Sequence, residues 1–241
     1  MRGDMTLEQA LDEAWSELGS SIFVMQNLGL PIESLPDISE AAARDRSARA
    51  ARWLERAAAL DPETLSTDDA ITLAVARQVM QRRAREHDWY WLAFDPLGVG
   101  FFALFAPTAY GGGWLLNYLG NMFERHAFAQ AGDLDRYLEL VDQFGLLVRQ
   151  LQARTAGQAK RGIRMPRPQL DQSIELMARL RGVAAAVLTP ANNRLAAVGG
   201  DGAAAASVSI SARIMSMRRS PSAWTCSGVR SSVVCNRTSS A

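Results

Sequence analysis

The sequence predicts an all-α fold, a multi-helix array followed by a disordered C-terminal tail. Helix N-terminal signals precede apolar runs in which residues recur at spacings of three and four. No segment before the tail alternates apolar and polar residues as a half-buried strand does. With 241 residues, 48% of them hydrophobic, the chain can bury a substantial core, which argues against wholesale disorder.

The first two helices follow from their capping residues. Thr6 and Gln9 have the spacing of a capping box and open a helix that continues to about Met25. Ser39 caps the second helix. The apolar positions of the first helix are Leu7, Leu11, Ala14, Trp15 and Leu18, and those of the second are Ala43, Ala50, Trp53, Leu54, Ala57 and Leu60.

A third helix is predicted after Asp61-Pro62, which ends the second helix and restarts the chain. Ser66 and Asp69 form its N-terminal signal. Its apolar side is marked by Ile71, Val75 and Val79, and its outer, solvated face carries Arg77, Arg82, Arg83 and Arg85.

Three more helices are predicted before residue 190. The first covers residues 114–128, and a longer one follows the cap Gly132-Asp133 with a buried side from Leu134 to Leu151. The chain then breaks between Gly162 and Pro168. The final helix runs over residues 169 to about 187.

The composition changes near Pro190, which divides the chain into a partial helical domain (residues 1–190) and a tail (residues 191–241). The tail contains one acid, six arginines, eleven serines and both cysteines, Cys226 and Cys235. Such an Ala/Ser/Arg-rich, low-complexity segment predicts a non-native, disordered stretch. We hypothesise that the natural reading frame is lost around residues 190–200, since a GC-rich gene read out of frame gives this composition.

Charge and hydropathy restrict the partners. The first 190 residues carry 20 basic and 24 acidic residues, so the excess positive charge lies in the tail, and nucleic-acid binding is not expected. The start of the chain has no signal-peptide pattern, which predicts a cytoplasmic location. The uncharged stretch 96–123 is long enough to span a bilayer, but Pro107 and Gly111–Gly113 interrupt it. We therefore favour a buried loop and helix over a membrane span.

No catalytic or metal-binding residue is assigned from the sequence. The chain has two histidines, His87 and His126, with acidic neighbours (Glu86, Asp88 and Glu124), but no histidine pair has the i, i+4 spacing of a helical zinc site. Separate structural histidines are the preferred interpretation. The glycine clusters lack the context of a phosphate-binding loop, and no serine lies in a Gly-x-Ser-x-Gly turn.

An aromatic-rich segment is the candidate ligand-binding region. Its aromatic side chains could line an apolar cleft that accepts a peptide or a small apolar ligand. Ordinary core packing is the alternative, and it is favoured because aromatic residues dominate cores. The candidate lining residues are Trp89, Trp91, Phe102, Phe105, Tyr110 and Trp114.

Three motifs together resemble a bacterial family labelled as a domain of unknown function, number 885. They are Leu35-Pro-Asp-Ile-Ser39 with the helix and the Asp61-Pro62 turn that follow, Gly132-Asp-Leu-Asp-Arg-Tyr-Leu138, and Arg161-Gly-Ile-Arg-Met-Pro166. Their order and spacing match over about residues 7–190. Each motif alone is generic, and their combination is moderately specific.

The resemblance implies a mostly helical, zinc-dependent peptidase-like protein, with zinc bound by a His-Glu…His signature and a further acid beyond residue 190. This chain lacks that signature, so no zinc ligand or catalytic glutamate is carried over. We therefore predict an N-terminal fragment that is inactive alone and contains no cofactor. The alternative is a non-enzymatic helical binding or scaffold module with an aromatic-lined apolar cleft. The oligomeric state is not predicted.

Overall fold

The computed structural model describes residues 5–19, 28, 33–92, 122–124, 126–130, 132–163, 171, 174–175, 186–195 and 200–219. These residues form the helices α1 (Leu7–Gly19), α2 (Glu40–Ala57), α3 (Thr67–Ala84), α4 (Gly132–Lys160), α5 (Asn192–Leu195) and α6 (Gly200–Arg219). A 3₁₀ helix (Pro62–Thr64) lies between α2 and α3. No strand occurs in the described ranges, so the all-α prediction is confirmed. The chain divides into two units, residues 1–31 with 36–97 and residues 32–35 with 98–241.

The start of α1 is the predicted capping box. The Thr6 amide donates to Gln9 Oε1 at 3.1 Å, and the Gln9 amide donates to Thr6 Oγ1 at 3.2 Å. Ala10 and Ala14 are buried, whereas Trp15 is 51% exposed although its spacing predicted an inward position. The predicted continuation of the helix to Met25 lies outside the described residues.

The connector before α2 is closed by its own polar side chains. Asp37 Oδ1 accepts from the Ser39 amide at 2.8 Å, and Ser39 Oγ accepts from the Ala42 amide at 3.2 Å. Ser39 is therefore the N-cap, as predicted. Helix α2 buries Ala43, Ser47, Ala50, Trp53 and Ala57.

The turn between α2 and α3 also matches the prediction. Asp61 accepts from the Glu63 amide at 3.0 Å with Pro62 at the first position of the 3₁₀ helix. Ser66 then caps α3 by accepting from the Asp69 amide at 3.2 Å. Capping residues thus determine where each helix of the first unit begins.

The orientation of α3 differs from the prediction. Leu73, Ala76 and Met80 face the core, whereas Ile71 and Val75 are 59% and 57% exposed. The predicted solvated arginine face is also wrong at Arg77, which donates to the carbonyl oxygens of Ala57 and Leu60 at the end of α2. The apolar side was predicted wrongly because α3 has apolar residues on two faces. Arg77 turns inward because the last carbonyl groups of α2 have no partner within their own helix and accept from its guanidinium.

The core of the first unit is a three-helix contact. Trp53 lies at its centre and donates from Nε1 to the Ala10 carbonyl oxygen at 2.9 Å, which joins α2 to α1. A buried indole usually finds such a partner for its N–H. The buried members of the core are Met5, Ala10, Ala14, Ala50, Trp53, Ala57, Leu73, Ala76 and Met80.

The second unit is organised around α4. Its predicted buried side is confirmed from Tyr137 to Leu151. The helix ends in a Schellman motif, in which the Gly162 amide donates to the Ala159 oxygen and the Ile163 amide to the Gln158 oxygen, both at 3.0 Å. Gly162 has φ of +77°, a conformation that favours glycine.

Helix α6 lies inside the segment for which the sequence predicted a disordered tail. It contacts α4, and Ala206, Ile210 and Ile214 are buried at i, i+4 spacing. Residues 200–219 of the predicted tail thus form a helix, because apolar residues recur at helical spacing in this alanine-rich segment. Residues 220–241 lie outside the described part of the chain.

Other predictions fall mostly on residues that are not described. Of the helix predicted over 114–128, Met122–Glu124 are helical, whereas His126–Phe128 are not. Of the helix predicted over 169–187, only five residues are described. Within the described ranges, no helix is both long and apolar enough to cross a membrane.

Candidate functional site

Two of the predicted cleft residues, Trp89 and Trp91, are described, and they lie in different environments just after the end of α3. Trp89 is 49% exposed, with the Arg85 guanidinium 5.5 Å from its ring. Tyr90 is buried, and Trp91 packs edge-on against it with ring centroids 4.8 Å apart. Phe102, Phe105, Tyr110 and Trp114 lie outside the described residues.

Tyr90 fastens the end of this segment to the connector before α2. Its hydroxyl donates to the Ile38 carbonyl oxygen at 3.0 Å, and Ile38 is itself buried. Tyr90 therefore joins the aromatic segment to the connector before α2. Trp89 and Leu92, each about half exposed, are the members that remain accessible to a ligand.

A charged network beside Tyr90, here called the Glu86 cluster, consists of Arg46, Ser47, Arg83, Glu86 and His87. Arg46 binds the Glu86 carboxylate through Nε and Nη2, the shortest contact being 2.6 Å, and Arg83 Nη1 binds it at 2.9 Å. Burial by itself would raise the pKa of Glu86, but the hydrogen bonds and charges of both arginines outweigh burial and lower it. Glu86 is therefore an ionised structural anchor.

His87 is held by local hydrogen bonds in the same cluster. Its backbone amide donates to Ser47 Oγ at 2.9 Å, and Ser47 Oγ donates to the Arg83 carbonyl oxygen at 3.1 Å. Its Nε2 accepts from Arg44 Nε at 3.4 Å. The Glu40 carboxylate lies 3.8 Å from the same nitrogen. Its neighbour Asp88 is exposed and lies 4.0 Å from Arg85 Nε.

His126 belongs to a second cluster, here called the His126 cluster, with Asp133, Tyr137 and Arg194. His126 Nε2 lies 3.1 Å from the Asp133 carbonyl oxygen. Since a carbonyl oxygen only accepts, Nε2 carries the proton in this contact. The imidazole also packs against the Tyr137 ring, with centroids 5.2 Å apart. Glu124, the proposed companion donor, is exposed.

Asp133 closes the turn in front of α4. Its carboxylate accepts from the amides of Gln130 and Ala129, each at 2.7 Å. These hydrogen bonds, first that from Gln130, lower the pKa of Asp133. The side chain therefore holds the turn that precedes α4, whereas an N-cap side chain would accept from amides inside the helix.

Tyr137 and Arg194 are the members of this cluster that sequence reasoning missed. The Tyr137 hydroxyl donates to the Leu188 carbonyl oxygen at 2.9 Å, and burial raises the pKa of this phenol. Arg194 Nη2 donates to the carbonyl oxygens of Phe123 and His126 at 3.0 and 2.7 Å. The partners are 51 to 71 residues away, so no local pattern could reveal them. Arg194 also lies in the segment predicted to be non-native.

A groove between α1 and α2 in the first unit, the α1–α2 groove, has a volume of about 910 Å³. Glu17 pairs with Arg49 across it, and Glu13 pairs with Arg56. Three arginines and three glutamates line the groove, so its charges balance. Its described lining residues are Met5, Gln9, Glu13, Ser16, Glu17, Arg49, Arg52, Trp53, Glu55, Arg56, Ala59 and Met80.

Two surfaces of the described residues are accessible to a ligand, the α1–α2 groove and the side chains around Trp89. Among them, no three His, Cys, Asp or Glu side chains are grouped so that they could hold a metal ion. His87 lies in the first unit and His126 in the second. Each is engaged with its own neighbours.

Comparison with known proteins gives one match. A family model described as a bacterial protein of unknown function (DUF885) matches residues 24–219. This covers all helices from α2 to α6. No curated protein and no solved structure matches the chain.

Proposed function

This chain belongs to the DUF885 family of bacterial proteins of unknown function, and we propose that it is the N-terminal structural part of a zinc-dependent, peptidase-like hydrolase. The family membership rests on the match over residues 24–219. The peptidase-like activity rests on the resemblance of the three sequence motifs. We further propose that the chain has no hydrolase activity by itself and that it is cytoplasmic.

The observation that carries this proposal is the use of those motifs in the structure. Ser39 caps α2 and its amide donates to Asp37, Asp133 holds the turn before α4, and Gly162 supplies the left-handed residue at its end. Each of these residues binds or shapes backbone. The motifs therefore specify helix boundaries, and the reactive groups of such an enzyme must come from other residues.

The described residues do not fit a zinc centre. Among the described residues, His87 and His126 lack the grouped His, Cys, Asp or Glu side chains that would complete a ligand set. These are the only two histidines in the chain. Hydrolytic zinc sites use three protein ligands and one open position, and histidine is the usual ligand. We assign no zinc-dependent step to this chain.

We also propose a revised position for the loss of the reading frame. The family match and α6 both extend to residue 219. Arg194, Leu195 and Ile210 make native-like contacts inside the second unit. Any frame change therefore lies after Arg219 rather than around residues 190–200. Sequencing the coding DNA from the codon of residue 210 and translating all three frames tests this, since a continuing helical pattern in another frame is the expected result.

Zinc content and hydrolysis test the functional proposal. The purified chain is equilibrated with zinc, freed of unbound metal, and assayed on a mixture of short peptides, with a longer family member that carries the His-Glu…His signature as the positive control. We expect far less than one zinc per chain and hydrolysis at the rate of buffer. Stoichiometric zinc and peptide hydrolysis that His87→Ala or His126→Ala abolishes would overturn it.

The second candidate is a helical binding module for a peptide or a small apolar ligand. It is favoured by the exposed Trp89 and Leu92 at the end of α3. A chain shortened after Arg219 should then be soluble, melt cooperatively, and change its tryptophan fluorescence when a short hydrophobic peptide is added. Loss of that change in Trp89→Ala, but not in Trp15→Ala, is the expected pattern. Aggregation of the shortened chain contradicts this candidate.

A further inference from the structure

Among the described residues, an apolar stripe is exposed on the face of α3 that points away from the core. Ile71 and Val75 are 59% and 57% exposed, although both are β-branched and four residues apart. Val79 continues the stripe and is half-buried. Asp68 and Arg82 bound it at the two ends, and both are exposed. At 100° per residue these five positions fall within roughly 80° of the helix circumference, opposite Leu73 and Met80.

The stripe is symmetric about Val75. Ile71 and Val79 lie four residues on either side of it, about 6 Å along the helix axis. Asp68 and Arg82 lie seven residues on either side, about 10 Å along the axis. The positions of the apolar residues are therefore symmetric about Val75, whereas the charges at the two ends are opposite.

We propose that this stripe is a self-association surface, on which α3 of a second copy of this chain packs antiparallel about a two-fold axis through Val75. In such a pair, Asp68 of each copy faces Arg82 of the other, and Ile71 faces Val79. A two-fold interface requires one surface to be complementary to itself, which this arrangement of charges satisfies. Within the described part of the chain, neither the Asp68 carboxylate nor the Arg82 guanidinium has an ion-pair partner.

The self-complementary charge pattern is the reason to choose a second copy over another partner. A parallel arrangement of the same stripe would put Asp68 beside Asp68 and Arg82 beside Arg82, which like-charge repulsion disfavours. The contact involves about four turns of one helix in each copy. A contact of this length is small beside stable interfaces of roughly 1,000 Å², so we expect the dimer to form only at high micromolar concentration or above.

Sedimentation equilibrium of the full chain tests the proposal directly. From about 10 μM to 1 mM, the average mass should rise from the 26.3 kDa of one chain toward twice that value. Val75→Arg should hold the mass at one chain throughout. The matched control is Val208→Arg, because Val208 is 69% exposed on α6 in the other unit, and this change should leave association unaltered.

A charge exchange separates the proposed geometry from general stickiness. Asp68→Arg alone and Arg82→Asp alone should each weaken association at least fivefold, and the double variant should return to within about twofold of the original. Thermal melting of each variant checks that α3 remains folded. A mass of one chain at every concentration, equal effects of Val75→Arg and Val208→Arg, or a double variant as weak as the single ones would each overturn the proposal.

Discussion

Replacing Ile210 with alanine should destabilise the second unit by about 2–5 kcal/mol. Ile210 is fully buried on the face of α6 that contacts α4. Its neighbours along that face, Ala206 and Ile214, are also buried, and Arg213 forms an ion pair with Asp142 of α4. The substitution therefore tests whether this helix is an integral part of the fold.

The expected magnitude combines two contributions. Burial of a whole isoleucine side chain contributes about 1.5–3 kcal/mol of transfer free energy, and the cavity left by its removal adds to the loss. Ile210→Val removes a single methyl group and should cost about 0.5–1.5 kcal/mol. Val208 lies two residues away and is 69% exposed, so Val208→Ala should change stability by no more than about 0.5 kcal/mol.

Urea unfolding combined with hydrogen exchange is the suitable assay. A helical circular dichroism signal would average over the two units. Exchange of the α4 amides reports the second unit alone. We expect the free energy of opening of α4 to fall in the order Val208→Ala, Ile210→Val, Ile210→Ala. Equal small effects of all three would refute the reasoning, and α6 would then belong to a disordered tail that begins near residue 190.

Three further predictions concern the joints of the fold. Gly162→Ala should lower the free energy of unfolding by about 1–2 kcal/mol, because a Cβ is strained at φ of +77°. Gly132→Ala should be neutral or slightly stabilising, because a Cβ there meets nothing within 4 Å and φ is not positive. Urea midpoints compare the two variants, and equal effects would contradict the backbone argument. Trp53→Phe should cost about 1–3 kcal/mol, since it removes the donor to the Ala10 oxygen and part of the ring, and Trp53→Ala about 3–5 kcal/mol, both measured as loss of α1 exchange protection. Because the pKa of Glu86 is lowered in the folded protein, its carboxylate contributes stability above its unfolded pKa of about 4.3, and this contribution is lost as the pH falls through the folded value. Glu86→Gln should therefore be less stable than the original at pH 7, with a difference that narrows toward pH 3 in pH-dependent melting; a constant difference would contradict the ion-pair explanation.

Helix boundaries were predictable because their causes are local. A cap involves residues three apart, as with Thr6 and Gln9 or Ser66 and Asp69, and each hydrogen bond was identified from the residue types alone. The end of α4 was likewise marked by Gly162. These signals do not depend on the rest of the fold.

The orientation of α3 was not predictable from the sequence, because the helix has apolar residues on two of its faces. Ile71 and Val75 are more apolar than Ala76, so side-chain hydropathy favours the wrong side. The structure chooses the other side, where Leu73 and Met80 pack around Trp53. Which face of α3 is buried depends on the surfaces of α1 and α2 that it packs against. The periodicity of the α3 sequence carries no information about those surfaces.

The candidate site was the least predictable part, since its key contacts join distant residues. Arg194 reaches backbone oxygens at Phe123 and His126, and Tyr137 reaches Leu188. The composition of residues 191–241 led to the prediction of a non-native tail that includes Arg194. Composition is an average over a segment and gives no information about one side chain. Four of the six predicted cleft aromatics lie outside the described residues, so the cleft remains a prediction.

The motif residues at helix ends differ from the residues that could contact a ligand, although Arg52 of the helix in the first motif lines the α1–α2 groove. Asp133 and Gly162 stabilise helix ends, whereas Arg52 and Trp89 face the groove or the solvent without any role at a helix end. A substitution at a helix end should therefore change stability and leave ligand affinity intact, and a substitution at a surface position should do the reverse. If a substitution in a motif lowers both stability and function, unfolding explains the loss of function. Such a result does not show that the motif residue takes part in a reaction.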